Sequence, residues 1–318
     1  MPKWLEKFLE ATVIFSYTRW GFSIRKGRWN RDDLSVDLSN QAIMVTGANA
    51  GLGFETSRQL AQLGATVHMI ARNQKRGEAA QAELKSLTGN ENIHLHVIDM
   101  SLMSDINRFS EIFLSEHGKL DVLINNAGAM FNERQVTSEG IEMSFATNLL
   151  GSFLLTKHMT PLLEKSDSGR IVFVSSGGMY TQMLNVNDLQ SDRPPYKPAT
   201  AYAQAKRAQV VLTEILAEKL QPKSIAVNSM HPGWVDTAAL KNGIPLFYCL
   251  MKFGLRNLEQ GADTIVWLAV SEMGGLETGK FWFDRMARPI YPFKNTENTQ
   301  EDIDKFWNRC LRLSGLSK

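Results

Sequence analysis

Short apolar runs alternate with helically spaced segments along most of the chain. Residues 41–46 are an apolar stretch that ends in glycines and read as a buried strand. Residues 47–53 form a glycine-rich turn, and 54–63 have helical spacing that stops at Gly64, a C-cap signal. The same alternation predicts strands over 65–71, 93–98, 122–124, 171–174 and 225–230, and helices over 78–87 and 104–115. Strands alternating with helices imply βαβ crossovers. The expected fold is therefore α/β: one doubly wound domain with a central parallel sheet flanked by helices on both faces.

Both ends extend beyond this pattern. The domain is expected over 39–295, with an apolar and aromatic arm over 1–38 and a C-terminal segment over 296–318 whose helix is predicted at 303–313. In the arm, Trp4, Leu5, Phe8, Leu9 and Val13 recur at helical spacing, but Glu6, Lys7 and Glu10 interrupt the run. Its uncharged stretch is shorter than the roughly 20 residues a bilayer span needs. A small-residue cleavage site is also missing, which argues against a signal peptide. Two readings stay open: a helix packed on this protein or a second subunit, and peripheral docking of residues 1–28 on a membrane, since Arg19, Arg25, Lys26 and Arg28 follow the aromatics.

Composition narrows the picture. The net charge of +2 and the scattered Lys and Arg residues argue against a nucleic-acid partner. Cys249 and Cys310 are the only cysteines; one bridge is conceivable, but so sparse a pair reads better as two thiols in a reducing compartment. There is no Asn-x-Ser/Thr sequon. An intracellular protein, cytoplasmic or peripheral on an organelle membrane and not secreted, is expected. His94 and His96 alternate on a strand without a nearby acidic or thiol ligand, so no metal site is expected. Met143, Met159, Met179, Met183 and Met230 read as core or pocket lining.

The first chemical feature is the turn Thr46, Gly47, Ala48, Asn49, Ala50, Gly51, Leu52, Gly53. Glycines let the backbone approach a pyrophosphate, and the following helix directs its N-terminal amides at that anion. The spacing is Gly-x-x-x-Gly-x-Gly. Asn125-Asn126-Ala127-Gly128, Asn148, Ser175-Ser176-Gly177-Gly178, Tyr202-x-x-x-Lys206 and His231-Pro232-Gly233-Trp234-Val235-Asp236-Thr237 come after it in order. Over about residues 42–284 the chain resembles the short-chain dehydrogenase/reductase family and, within it, the retinol-dehydrogenase-like branch.

The resemblance implies a Rossmann-type fold and hydride transfer between a nicotinamide cofactor and the alcohol or carbonyl of a small molecule. It implies Tyr202, Lys206, Ser176 and Asn148 as the proton-transfer machinery, with Ser175 and Ser176 beside the substrate. Cofactor contacts are expected from Thr46, Gly47, Asn49, Ala50, Gly51, Leu52, Gly53, Arg72, Asp99, Met100, Asn126, Ala127, Gly128, Tyr202, Lys206, Pro232, Gly233, Val235 and Thr237. An alkoxide left by hydride addition needs a proton, and a free Tyr with a pKa of about 10 is a slow partner at neutral pH. Lys206, four residues later on the same helix face, is expected to favour the phenolate. Asn148 is expected to anchor a water that links Lys206 to solvent.

Two features bear on specificity. The second strand ends at Arg72-Asn73, with no acid to bond a ribose diol; Arg72 suits a 2′-phosphate, or else stacks on the adenine or stays solvated. NADP(H) is thus expected as the preferred cofactor, with NAD(H) as the alternative. Residues at about 238–258 carry Leu240, Ile244, Leu246, Phe247, Tyr248, Leu250, Met251 and Phe253. They read as an apolar lid over a lipophilic substrate, with a subunit interface or lipid contact as the competing reading. A homo-oligomer stays open. A silent binding protein on this fold would lack cofactor affinity. A membrane scaffold would lose its role with residues 1–30, and an epimerase would need a larger C-terminal substrate domain.

Overall fold

The computed structural model describes residues 12–292 and 296–316. Most of the arm's aromatic run, from Trp4 to Leu9, lies outside the described residues. The rest of the arm forms two short helices, α1 (Val13–Tyr17) and α2 (Arg19–Lys26), and a 3-10 turn at Arg31–Leu34. In α2 the faces are sharply divided: Gly21, Phe22 and Arg25 are buried, while Trp20 and Ile24 are exposed.

The doubly wound core then runs β1 (Ala42–Thr46), α3 (Gly51–Gln62), β2 (Thr66–Ala71), α4 (Gln74–Thr88), β3 (Ile93–Val97), α5 (Met103–Glu116) and β4 (Val122–Asn125). Next, α6 (Met143–Phe145) passes through a π-helical turn, Ala146–Leu150, into α7 (Gly151–Leu163). After β5 (Arg170–Val174), α8 (Pro198–Leu220) and β6 (Ala226–Met230) come α9 (Ala238–Gly243) and α10 (Pro245–Met251), then α11 (Leu258–Val270) and α12 (Glu272–Leu276). A hairpin of β7 (Phe281–Phe283) and β8 (Met286–Arg288) precedes α13 (Gln300–Leu313).

Among the described residues the strands form one sheet in the order β3-β2-β1-β4-β5-β6-β7-β8. The order reverses between β1 and β4, so the loops after those strands diverge and leave a crevice at the strand C-termini. Apolar side chains fill both faces. Leu123, Ile171 and Phe173 meet α5, α7 and α8 on one side; Ile43, Val45, Val67 and Ile124 meet α3, α4 and α11 on the other. Burying each such side chain contributes about 1.5–3 kcal/mol. The C-terminal helix α13 buries Phe306 and Cys310 in the first of these cores. Cys249 is exposed and Cys310 buried, and both are free thiols.

One part of the sheet departs from the expected parallel pattern. β8 runs antiparallel to β7 through a two-residue turn, Asp284-Arg285, with φ of 50° and 56°. Such turns usually advertise themselves as Asn-Gly or Asp-Gly. Here ion pairs hold both non-glycine residues: Asp284 with Arg25 and Arg256, and Arg285 with Asp263.

Candidate active site

At the end of β1 the backbone must turn sharply, and Gly47 does so at φ 66°. The turn admits no side chain at Gly53, where a Cβ would stand 2.3 Å from the Gly47 carbonyl oxygen and 2.5 Å from Asn126 Nδ2. Gly51 opens α3 at φ 58°, with the extended Ala50 before it and no side chain capping the first turn. Asn126 braces this cradle from below by donating from Nδ2 to the Thr46 carbonyl at 2.8 Å. The Thr46 hydroxyl in turn accepts from the backbone N–H groups of Asn126 and Ala127 at 2.9 and 2.8 Å. Leu52 and Val235 both pack against Gly261, which ties the cradle to the loop after β6.

At the far end of the crevice, Arg72 follows β2 with a largely exposed side chain. Its Nη1 stands 3.7 Å from Asp99 Oδ2. The other Asp99 oxygen accepts from the Ser101 N–H at 2.9 Å and its hydroxyl at 2.7 Å. Met100 is buried, its carbonyl pressed against Gly151 so closely that a Cβ there would lie 2.0 Å away. Asn49 is half-buried in the glycine turn.

The candidate proton-transfer residues meet at the opposite end. Tyr202 and Lys206 lie one helical turn apart on α8, with Lys206 Nζ 5.6 Å from the Tyr202 ring centre. Lys206 is 2% exposed and donates to the Val174 carbonyl at 2.8 Å. Ser176 follows β5, hydrogen-bonds the Tyr202 phenol, and accepts from the Gly178 N–H at 3.1 Å. Its neighbour Ser175 is turned away, donating to the Lys206 carbonyl at 2.8 Å. Gly128 faces both groups behind it: a Cβ would stand 2.8 Å from Asn148 Oδ1 and 3.1 Å from Lys206 Nζ.

Asn148 sits in the π-helical turn. Its amide donates to the Ala129 carbonyl at 2.8 Å and its Oδ1 accepts from the Ala129 N–H at 3.0 Å, so the side chain clamps the loop after β4. Its backbone carbonyl accepts from Gln209 Nε2 at 2.6 Å. Electrostatically, the site differs from the expectation that Lys206 pulls Tyr202 down. Burial pushes Tyr202 up to about 12, opposed by the Ser176 hydrogen bond, and pushes Lys206 down to about 7. Both groups share one desolvated pocket, and burial disfavours the charged form of each.

The loop after β6 closes the site. Gly233 has φ 78°, and a Cβ there would lie 2.5 Å from Arg256 Nε and 2.8 Å from the Tyr17 carbonyl. The Arg256 guanidinium also donates to the Pro232 carbonyl, and Thr237 caps α9 by accepting from the Leu240 N–H at 3.2 Å. Between the loop after β4 and α9, Gly128, Ala129, Met130, Asn132, Asn242 and Gly243 line a cleft of about 200 Å³. A cleft of about 280 Å³ between β3 and α5 lies at the sheet's outer edge, away from these groups.

Sequence reasoning missed one contributor, Tyr17. Its ring packs on His231, Trp234 and Phe283 with centroids 4.6, 5.6 and 5.1 Å away. Its carbonyl accepts from the Trp234 N–H at 2.9 Å. The arm is latched there by a buried trio. Asp284 accepts from Arg25 at 2.8 Å and from Arg256 at 2.6 and 2.9 Å, and Ser16 takes further N–H groups of both arginines. The only trace in the sequence is a pair of arginines set among apolar residues, one in each segment.

A family model described as short chain dehydrogenase matches residues 41–244. The chain is 42% identical to Dehydrogenase/reductase SDR family member 12 of Bos taurus, over 93% of each chain. It is 33% identical to Retinol dehydrogenase 12 of Bos taurus, over 88% of each. Among solved structures, a short chain dehydrogenase from Escherichia coli complexed with NADPH superposes with a TM-score of 0.65 at 25% identity, covering 81% of this chain and all of that one.

Proposed function

The chain belongs to the short-chain dehydrogenase/reductase family, and on that premise we propose that it is an NADP(H)-preferring enzyme for a lipophilic alcohol or carbonyl, with Tyr202 as its proton donor and acceptor. As a family member it is a nicotinamide-dependent oxidoreductase acting on alcohol or carbonyl groups. The observation that carries the assignment of roles is the convergence of Tyr202, Ser176 and Lys206 at one end of the crevice whose other end is the glycine cradle.

The residues present fit the cofactor. The cradle of Gly47, Gly51 and Gly53 leaves backbone bare where a pyrophosphate would rest, with Thr46, Asn49, Ala50 and Leu52 around it. Asp99 and Met100 would flank the adenine, and Asn126, Ala127 and Gly128 would lie along the riboses. Pro232, Gly233, Val235 and Thr237 would hold the nicotinamide side. Arg72 supports NADP(H), because its exposed fork sits where a 2′-phosphate would lie. The NADPH complex of the Escherichia coli protein points the same way.

When bound, the nicotinamide supplies or accepts the hydride. Ser176 orients the substrate oxygen by hydrogen bonding. Tyr202 gives that oxygen a proton on reduction and takes it on oxidation; burial keeps the phenol protonated, which suits reduction of a carbonyl. Lys206, pushed down to about 7 by burial, would bond the ribose and return the proton. Asn148 is a positioning residue that holds the Gly128 loop against Lys206. Gln209 donates to the Asn148 carbonyl and fixes that turn against α8.

The apolar residues of 238–258 support a lipophilic substrate, in line with the retinol in a relative's name. The aromatic and basic arm supports contact with a membrane face; among the described residues no helix is long and apolar enough to cross one. The two free thiols support an intracellular setting.

Tyr202→Phe tests the assignment. It should lower turnover by roughly 10²–10⁴-fold while NADPH affinity stays nearly unchanged, because only the transferable proton is removed. A panel of aldehydes and ketones followed by NADPH oxidation supplies the substrate. Wild-type turnover by Tyr202→Phe would overturn the assignment.

A further inference from the structure

The lid presents an apolar stripe that none of the described residues covers. Leu246, Leu250 and Phe253 recur at i, i+4 and i+7 and are 73%, 73% and 72% exposed. A soluble surface holds scattered apolar side chains, but a helix-long stripe of this kind marks a contact face. The stripe continues into the arm. The Arg19 N–H donates to the Gly254 carbonyl at 2.9 Å, and the Trp20 ring lies 3.1 Å from where a Gly254 Cβ would stand. Trp20 is 46% exposed and packs on the exposed Phe15 at 6.1 Å.

Charge decides what the face would meet. From Thr12 to Asn30, and again from Thr237 to Leu258, the sequence holds no Asp or Glu. Lys26, Arg28 and Lys241 are exposed cations in these segments. Arg19 lies over the Trp20 ring at 6.0 Å and Lys252 over Phe253 at 4.9 Å, so each of these charges flanks an exposed aromatic. Apolar residues ringed by cations, with aromatics at the boundary, are the chemistry of an interfacial element on anionic lipid.

We infer that α10 and the arm form one surface that docks the lid itself on an anionic bilayer, so that a lipophilic substrate reaches the cleft beside Gly128 from the lipid. This rests on the arm's membrane contact proposed above and extends it to the lid. The preceding helix, α9, contributes Asn242 and Gly243 to that cleft, which places the lipid-facing stripe and the site entrance on successive helices.

The test is sedimentation of the full chain with vesicles of phosphatidylcholine, with and without phosphatidylserine. Wild type should pellet with the anionic vesicles. Leu246→Ser/Leu250→Ser/Phe253→Ser should partition about tenfold less with an unchanged melting temperature. Lys241→Glu/Lys252→Glu should lose the phosphatidylserine dependence, and it carries the test if the triple variant misfolds. If both lid variants pellet like wild type while Ile14→Ser/Phe15→Ser does not, the arm's membrane contact stands and the lid inference falls. If wild type binds neither vesicle, both fall. If the lid variants change the oligomeric state without vesicles and leave lipid binding intact, the stripe is a subunit interface and the inference is overturned.

Discussion

Tyr17 is in contact with Gly177: a Cβ on Gly177 would stand 2.5 Å from Tyr17 Cε2. The arm therefore touches the turn that carries Ser176, and through the Tyr17 carbonyl it also touches the loop at Gly233. Tyr17 is a positioning residue between the two loops. Gly177→Ala should strain this contact by about 1–3 kcal/mol and push Ser176 out of register. The expected result is a roughly tenfold loss of kcat. Adding Tyr17→Leu should recover part of it, while Tyr17→Phe alone should stay near wild type. Steady-state kinetics on the four proteins decides the matter; a double variant no better than Gly177→Ala would show that the contact does not act on turnover.

Arg72 should set the coenzyme choice. Its exposed fork is paired only loosely with Asp99, so it is available to a phosphate. A charge-assisted hydrogen bond contributes about 1.5–3 kcal/mol, roughly tenfold to a hundredfold in affinity. Arg72→Ala should weaken NADPH by that amount and leave NADH nearly unchanged. Fluorescence titration of both coenzymes against both proteins measures this, and an equal loss for the two would assign Arg72 to the adenine instead.

Asp284 neutralises two buried arginines, each with a side chain 1% exposed. Asp284→Ala would remove the buried carboxylate that both arginines share, and removing one member of a buried pair costs about 3–5 kcal/mol. Arg25→Met should be milder, because Asp284 keeps Arg256. Thermal denaturation should rank them in that order, and limited proteolysis should cut the Asp284→Ala arm first. Equal melting temperatures for wild type and Asp284→Ala would contradict the latch.

Acid should destabilise the protein through the β2–β3 edge. His68 Nδ1 lies 3.1 Å from His96 Nε2, and the His117 ring packs on His68. Burial, with neighbouring imidazoles adding to it, pushes His68 down to about 3 and His96 down to about 4. An unfolded histidine titrates near 6.5, so between that value and the folded ones the unfolded chain binds more protons. Their contribution is complete above about pH 6.5 and is lost as pH falls toward about 4 and then 3. The melting temperature should drop over this window, and less steeply in His68→Leu. A parallel pH profile for that variant would place the acid sensitivity elsewhere.

Much of this was legible in the sequence. Strands β1 to β6 are apolar runs bounded by turns, and their ends differ from the predicted limits by only a residue or so. What could not be read has physical causes. β7 and β8 have three residues each, too short to show a period, and their turn lacks the usual glycine because ion pairs hold Asp284 and Arg285. The half of the site around Tyr202, Ser176 and Gly47 is local chemistry at fixed spacing. Tyr17 belongs to it only through contacts more than 150 residues distant in sequence, which no spacing reveals. The rise of the Tyr202 pKa where a fall was expected, and the fall at Lys206 beside it, depend on burial, a property of the packed pocket rather than of the Tyr-x-x-x-Lys motif.

The latch also orders the protein's birth. Arg25 and Asp284 are separated by 259 residues. A growing chain emerges from the ribosome N-terminus first, so the arm leaves well before the segment that seats it. Until the β7–β8 turn has emerged, Arg25 has no Asp284, and the wall behind Ser176 and Gly233 is unfinished. The nascent polypeptide must therefore carry Tyr17 and Phe22 without their partners Phe283 and Arg256 until those residues have been made, a long exposure for a chaperone or a nearby bilayer to shield.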